Sequence, residues 1–196
     1  MRMLLVNGTA AALWGLFAFT HYVRYQEIGK FYLLLMVIAE SWLALMFLIR
    51  KDQMSKSTSP LEWAAAAGGT FVPLLLRPSM QGLAPDLGSI VVAFGVCIQI
   101  AGALSLNRSF GIVPANRGVK TSGIYRVIRH PLYASYLVTF SGYFLANTSL
   151  YNFWIFVAWL VFMLLRIFFE ERHLLRDAGY QRYIGSVRWR LVPYIF

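Results

Sequence analysis

The chain has 196 residues, of which 59% are hydrophobic and only 13% are charged, and it carries a formal net charge of +10. The apolar share is well above that of a soluble domain, and the charged share is about half of what a soluble domain carries. These two values exclude an ordinary soluble globular fold. The basic residues lie between apolar runs and form no continuous stripe, so they favour lipid headgroups as partners and disfavour nucleic acid.

Six apolar runs predict an all-α fold, a multi-pass transmembrane bundle of about six helices, because a helix pairs its backbone groups internally in lipid. The first run has no small-residue cleavage site before the next span, which indicates a retained helix and not a signal peptide. The third run is short and contains Gly68, Gly69 and Pro73, so it has the weakest span pattern of the six. The predicted spans are Met3–Thr20, Phe31–Ile49, Leu61–Leu76, Leu87–Leu106, Pro131–Tyr151 and Asn152–Phe169.

The distribution of Lys and Arg predicts the orientation of these spans. If both termini are cytoplasmic, only Arg24, Lys30 and Arg77 fall on the outer side, and all other Lys and Arg residues fall on the cytoplasmic side. Cytoplasmic loops of membrane proteins carry such an excess of basic residues. The sequence therefore predicts an integral membrane protein with both termini in the cytoplasm.

The chain divides into two parts after residue 106. Residues 1–106 contain the first four spans, whereas residues 107–196 contain a loop, the last two spans and a cytoplasmic C-terminal segment. The fifth and sixth runs join almost without a loop around Asn147–Asn152, which predicts a tight helical hairpin. The loop 107–122 is expected to serve either as a lid or as a fixed wall, and the sequence leaves these two roles open.

Polar residues cluster at the cytoplasmic end of the last helix, which is predicted to continue to Gly179 as its C-cap residue. Charged groups at this depth are costly unless they pair or face water, so they are expected to face a wet cavity. Four residues recur at spacings of 3 or 4 positions and share one stripe of the helix: Arg166, Glu170, His173 and Asp177.

The fifth helix carries a matching polar group at its cytoplasmic end. His130 and Tyr133 follow helical spacing there, and in a hairpin they would face Glu170 and Glu171 across one site. Glu40 lies in the middle of the second span, where ionisable groups are functional candidates. A hydrogen bond between packed helices explains Glu40 equally well.

Two segments, GIYRVIRHPLYASYLVTFSG (123–142) and EERHLLRDAGYQRYIGSVRWRLVP (170–193), resemble the integral-membrane isoprenylcysteine carboxyl methyltransferases and phospholipid N-methyltransferases. The shared pattern is G-x-Y-x-x-x-R-H-P-x-Y, then E-E, a Gly nine positions after the first Glu, two Tyr, and R-x-x-P. The resemblance covers about residues 105–196, and the first four spans match only in general character. It implies S-adenosylmethionine as the methyl donor and a lipophilic methyl acceptor in the membrane.

The resemblance also implies which residues bind the methyl donor. The donor's ammonium suits a carboxylate, its carboxylate suits a cation or backbone amides, and its sulfonium suits aromatic faces. The ammonium is expected on either Glu, although the helical phase favours Glu171 for the donor and leaves Glu170 facing Arg166. The donor carboxylate is expected on Arg129 or on backbone amides of Gly118–Gly123. The sulfonium is expected to lie between Tyr125 and Tyr133. The residues assigned to the donor site are Tyr125, Arg129, His130, Tyr133, Glu170 and Glu171.

The chemical class of the acceptor decides which residues act in catalysis, and the candidates are Arg166, Glu170 and Arg190. A carboxylate acceptor is ionised at neutral pH and needs only a cation to hold it, a role for Arg166 or Arg190. An amine acceptor must lose a proton, to His130 or to a Glu. The arginines near the predicted site favour O-methylation of an isoprenylcysteine-type carboxylate, with N-methylation of a phospholipid or small amine as the alternative.

Two other classes of protein stay open at this point. A sterol-type, NADPH-dependent membrane reductase has similar C-terminal helices, but a larger set of N-terminal helices is expected for it. A small transporter or assembly protein would leave the clustering of distinctive residues at one cytoplasmic mouth unexplained. No metal is predicted to take part.

Overall fold

The computed structural model describes residues 2–49, 55–56, 58–79, 82–106, 115–116 and 119–196. Most of the predicted loop 107–122, including Gly118, lies outside these ranges, so its role as lid or wall stays a prediction. The described part of the chain is helical, as predicted, with one pair of antiparallel two-residue strands, β1 (Ser55–Lys56) and β2 (Ala115–Asn116). The α-helices are α1 (Arg2–Ile28), α2 (Phe31–Ile49), α3 (Pro60–Phe71), α4 (Pro85–Leu106), α5 (Pro131–Ala146), α6 (Leu150–Leu174) and α7 (Ala178–Ser186), and 3-10 turns cover Val72–Leu75 and Gly123–Arg126.

Three helices in the described part of the chain are long and apolar enough to cross a membrane, namely α2, α4 and α6. They correspond to the second, fourth and sixth predicted spans. The first, third and fifth predicted spans correspond to α1, to α3 with its 3-10 extension, and to α5. Their passage through a membrane, and with it the count of six spans, stays a prediction.

The third apolar run forms a shorter α-helix than the sequence predicts. Helix α3 has 12 residues and ends at Phe71, and a 3-10 turn continues the run. Pro73 causes this change, because proline lacks an N–H and its ring clashes with the carbonyl four residues earlier. That carbonyl, on Gly69, instead accepts a hydrogen bond of 3.2 Å from the Trp159 indole nitrogen on α6. The break in α3 thus provides a tie to α6.

The last long helix does not continue to Gly179, contrary to the prediction. Helix α6 ends at Leu174, and α7 begins at Ala178 after a short turn. The Asp177 carboxylate accepts hydrogen bonds from Gly179 N at 2.7 Å and Tyr180 N at 3.2 Å, which makes Asp177 the N-cap of α7. Asp177 therefore leaves the predicted stripe, and Gly179 belongs to the first turn of a new helix.

Close contact between α4 and α5 fixes the position of α5 in the bundle. Gly88 and Gly142 face each other, because a Cβ atom on Gly88 would lie 2.6 Å from the Gly142 carbonyl oxygen. A Cβ atom on Gly142 would lie 2.7 Å from the Val92 nitrogen. Small residues at such contacts let helices in a membrane approach closely.

Side-chain amides hold the connection between α5 and α6, where both helices have shifted from the predicted boundary at Tyr151. Asn147, fully buried, accepts hydrogen bonds from the Tyr32 hydroxyl at 2.9 Å and from Ser79 N at 2.8 Å. Asn152 Nδ2 donates to Asn147 O at 2.6 Å. These bonds tie the connection to α2 and to the segment after α3, while the predicted membrane hairpin itself stays a prediction.

Candidate functional site

A buried carboxylate in the last turn of α6 gathers three basic side chains. Glu171 is 8% exposed, and its two oxygens lie 2.8 Å from Arg129 Nη1, 2.8 Å from Arg190 Nε and 3.1 Å from His130 Nε2. A buried ion pair is tolerated when its geometry is good and additional hydrogen bonds satisfy the remaining groups. Two guanidinium groups and an imidazole therefore satisfy both oxygens of Glu171 from within the chain.

Backbone hydrogen bonds to the C-terminal segment place two of these basic residues. Arg129 N donates to Trp189 O at 2.8 Å, and His130 N donates to Arg190 O at 2.9 Å. Because His130 precedes Pro131, helical backbone angles are disfavoured for it, and it forms the N-cap of α5 without being part of the helix. The cluster is thus assembled from residues 129–130, the end of α6 and residues 188–190.

The neighbouring carboxylate, Glu170, lies in a different environment. It accepts a hydrogen bond from the Tyr133 hydroxyl, its one hydrogen-bond partner within the described ranges. The guanidinium carbon of Arg166 lies 5.1 Å from the centroid of the Tyr133 ring, and Arg166 Nη1 donates to Thr70 Oγ1 at 3.0 Å. Tyr133 therefore contacts an anion through its hydroxyl and a cation through its ring.

Tyr125 is held beside this group by α7. Burial and, next, the negative charge of Glu170 raise the pKa of Tyr125 well above its usual value, so its phenol stays neutral. The Tyr183 hydroxyl donates to Tyr125 O at 2.6 Å, and burial raises the pKa of Tyr183 to about 12, so this donor keeps its proton at neutral pH. Gly123 begins the 3-10 turn that carries Tyr125, and the φ of Gly123, +61°, is a conformation that favours glycine.

A cavity of about 420 Å³ extends to Arg166. Its walls come from α1 to α6 and include Arg166 and Tyr136, so it reaches the residues that contact Tyr133. Glu40, only 4% exposed, also lines the cavity, and its Oε2 lies 2.9 Å from His21 Nδ1 on α1. The carboxylate in the middle of the second predicted span therefore has a partly buried partner that the sequence pattern did not identify.

The structure brings together the residues that were each predicted to belong to the site. Their roles in binding and chemistry stay predictions. Two neighbours were missed: Thr70, which lies outside the recognised motif, and Tyr180, whose hydroxyl lies 3.5 Å from Glu171 Oε1. The pair of tyrosines in the motif was a signal that could have found Tyr180. Within the described ranges, no group of three or more His, Cys, Asp or Glu is arranged to hold a metal ion. The residues that meet in this region are Tyr125, Arg129, His130, Tyr133, Arg166, Glu170, Glu171 and Arg190.

A family model described as phospholipid methyltransferase matches residues 86–180. The matched segment contains nearly all of α4, the whole of α5 and α6, and both Glu170 and Glu171, but it excludes Arg190 and the first three helices. No curated protein matches the chain.

Proposed function

Since residues 86–180 belong to the phospholipid methyltransferase family of membrane methyltransferases, we propose that this integral membrane protein transfers a methyl group from S-adenosylmethionine to a lipophilic acceptor. The observation that carries the proposal is the contact of Glu171 with Arg129, His130 and Arg190 beside Glu170 and its Tyr133 partner. The family match favours this function over a sterol-type reductase and over a transporter.

The chain offers the groups that the methyl donor requires. For the carboxylate acceptor, we assign the donor ammonium to Glu170, because both oxygens of Glu171 are already engaged by basic side chains. The helical phase favours Glu171 for the donor ammonium, so this assignment differs from the expectation based on the sequence. Arg129 Nε is buried and has no hydrogen-bond acceptor among the described residues, which supports Arg129 as the partner of the donor carboxylate. The rings of Tyr125 and Tyr133 supply aromatic faces for the sulfonium.

The chain's main contributions to methyl transfer are alignment of the acceptor and exclusion of water. When bound, the donor supplies an electrophilic methyl group. Arg166, buried at the wall of the cavity, holds the acceptor carboxylate, which is ionised at neutral pH and needs no general base. Arg190 is engaged with Glu171 and its side chain is 38% exposed, so Arg166 is the better placed of the two arginines. This placement supports O-methylation of an isoprenylcysteine-type carboxylate.

N-methylation of a phospholipid headgroup is the second candidate function, and the description of the matching family favours it. An amine acceptor must lose a proton during the reaction. His130 is engaged with Glu171, whereas Glu170 has a single hydrogen-bond partner in the described part of the chain. Glu170 is therefore the candidate proton acceptor for that reaction.

Isothermal titration with S-adenosylhomocysteine, the demethylated donor, tests the donor site. We expect the detergent-solubilised protein to bind it and Glu170→Gln to weaken binding about tenfold or more, as the loss of a charge-assisted hydrogen bond predicts. Glu27→Gln is the control, because this carboxylate lies on α1 and its side chain is 52% exposed. Unchanged binding in both Glu170→Gln and Arg129→Gln would refute the site.

Transfer of a radiolabelled methyl group then distinguishes the two acceptor classes, with a farnesyl-cysteine analogue compared against phosphatidylethanolamine. We expect label in the carboxylate acceptor, and Arg166→Gln to lower that rate about tenfold or more with donor binding retained. Arg172→Gln, at an exposed position of the same helix, is the matched control. Label in phosphatidylethanolamine alone would establish N-methylation instead.

A further inference from the structure

The cavity contains a polar group that the proposed methyl transfer does not use. Glu40 on α2 and His21 on α1 form a pair whose side chains are only 5% and 19% exposed. Both helices lie outside the segment that the family model matches. Because a buried charge in apolar surroundings is costly, the pair requires an explanation of its own.

The cavity has the size of a small-molecule site and a mainly apolar wall. Its volume of about 420 Å³ falls in the range of such sites, roughly 300–1,000 Å³. Apolar side chains from α1, α2 and α5 and from the segment after α3 supply most of the wall, whereas Glu40, His21 and Gln99 form a polar group on it. The apolar residues include Trp14, Phe17, Met36, Leu43 and Phe140.

Two side-chain oxygens in this polar group have no hydrogen-bond donor among the described residues. His21 contacts Oε2 of Glu40, which leaves Oε1 without a partner. Gln99 donates through Nε2 to Ala39 O at 3.3 Å, which leaves its own Oε1 without one. Gln99 is 2% exposed and Glu40 is 4% exposed, and both residues line the cavity, so these oxygens depend on what occupies the cavity for a hydrogen bond. A ligand that donates a hydrogen bond here removes a desolvation cost that a plain hydrocarbon chain would leave in place.

The charges around the cavity decide between the possible donor groups. Arg24, Arg77 and Arg166 line the same cavity, and Glu40 is the one carboxylate among its described lining residues. Arg24 is paired with Glu27 at 2.7 Å, which leaves Arg77 and Arg166 in excess over Glu40. An ammonium group would meet this excess of positive charge, whereas a hydroxyl supplies the missing donor without adding charge.

We propose that this cavity binds an aliphatic chain that carries a hydroxyl group, with the hydroxyl donating to Oε1 of Glu40 and the chain packing along Met36 and Leu43. The cavity also reaches Arg166, so the same molecule extends to the proposed site of methyl transfer. The identification of this ligand as the methyl acceptor rests on the proposed function. The binding of a hydroxylated chain does not rest on it.

Quenching of tryptophan fluorescence by brominated chains tests the inference, because Trp14 lines the cavity. The full chain in lipid nanodiscs, without methyl donor, is titrated with ω-bromodecanol, bromodecane and ω-bromodecylamine, each corrected for partition into empty nanodiscs. We expect ω-bromodecanol to bind about tenfold more tightly than either other probe. Trp14→Phe should remove the saturable quenching. Equal binding of ω-bromodecanol and bromodecane, or tightest binding of ω-bromodecylamine, would overturn the proposal.

Substitutions at the pair supply the second arm. Glu40→Met removes the acceptor at similar length and should abolish the preference for the hydroxyl. Asp86→Asn, at an exposed position of α4 outside the cavity lining, should retain it. If Glu40→Met does not fold, Glu40→Gln serves, with the preference expected to fall to about threefold or less. A preference that persists in the Glu40 variants contradicts the assignment. Titration of the same sample with S-adenosylhomocysteine separates the two hypotheses, because donor binding without hydroxyl preference rejects the inference alone.

Discussion

Adjacent residues with the same side chain have different environments in this protein. Glu171 contacts Arg129, His130 and Arg190, whereas Glu170 accepts one hydrogen bond from Tyr133 in the described part of the chain. Successive residues of a helix point about 100° apart, so the two carboxylates reach different neighbours. We infer that Glu171 organises the basic residues of the site and that Glu170 remains available to a ligand.

This difference predicts unequal effects on stability in the absence of any ligand. Glu171→Gln leaves the buried guanidinium of Arg129 and the partly exposed guanidinium of Arg190 without their anion, and breaking a buried pair in this way costs about 3–5 kcal/mol. Glu170→Gln weakens a single hydrogen bond and should cost about 1 kcal/mol. Unfolding of the purified variants in one detergent measures both values. Similar losses in the two variants would contradict the division of roles.

At the scale of whole elements, the contact of α4 with α5 fixes how closely the two helices pack. Gly88 and Gly142 leave no room for a side chain where the helices meet. This close approach therefore sets the position of α5 in the bundle.

Substitution of Gly142 tests this contact. Gly142→Leu should destabilise the fold by about 1–3 kcal/mol or more, because the added side chain meets the backbone of α4. Gly15→Leu is the matched control, since nothing lies within 4 Å of a Cβ atom on that glycine in α1. The control should match or slightly exceed the native protein, as leucine favours helix over glycine. The melting temperatures of both variants in detergent provide the measurement, and an equal loss in both would argue against the contact.

The elements also show what the sequence could and could not predict. Apolar length was sufficient to predict α2, α4 and α6, because burial of backbone polar groups in lipid requires helices. The meeting of His130 with Glu171 followed from the assumption that α5 and α6 fold back on each other. The end of α6 was predicted wrongly, because good helix formers continue past Leu174 and only the carboxylate of Asp177, bonded to two backbone amides, interrupts them. The pairing of Glu40 with His21 depends on how α1 packs on α2, which no local pattern encodes.

On the scale of the whole molecule, the Glu171 cluster and the connection between α5 and α6 lie at opposite ends of these two helices. The basic cluster meets the start of α5 and the end of α6, whereas Asn147 and Asn152 hold the other ends. Combined with the distribution of Lys and Arg, this arrangement predicts that the cluster faces the cytoplasm.

Labelling of single cysteines with a membrane-impermeant maleimide tests the orientation in a Cys97→Ser background. Leu83→Cys reports on the end near Thr148, since Leu83 N donates to the Thr148 hydroxyl and its side chain is 77% exposed. Gly185→Cys reports on α7, where nothing lies within 4 Å of an added Cβ atom. We expect the first to react in intact cells and the second only after permeabilisation. Reaction of both on the same side would refute the predicted topology.

The assembly of the Glu171 cluster from three distant segments has a consequence for biosynthesis. Residues 188–190 leave the ribosome after α5 and α6, and they supply Arg190 and the carbonyl groups that hold Arg129 and His130. During folding, Glu171 therefore lacks one of its basic partners until residues 188–190 reach the ends of α5 and α6. The proposed donor site becomes complete only when this last segment folds back over the two helices.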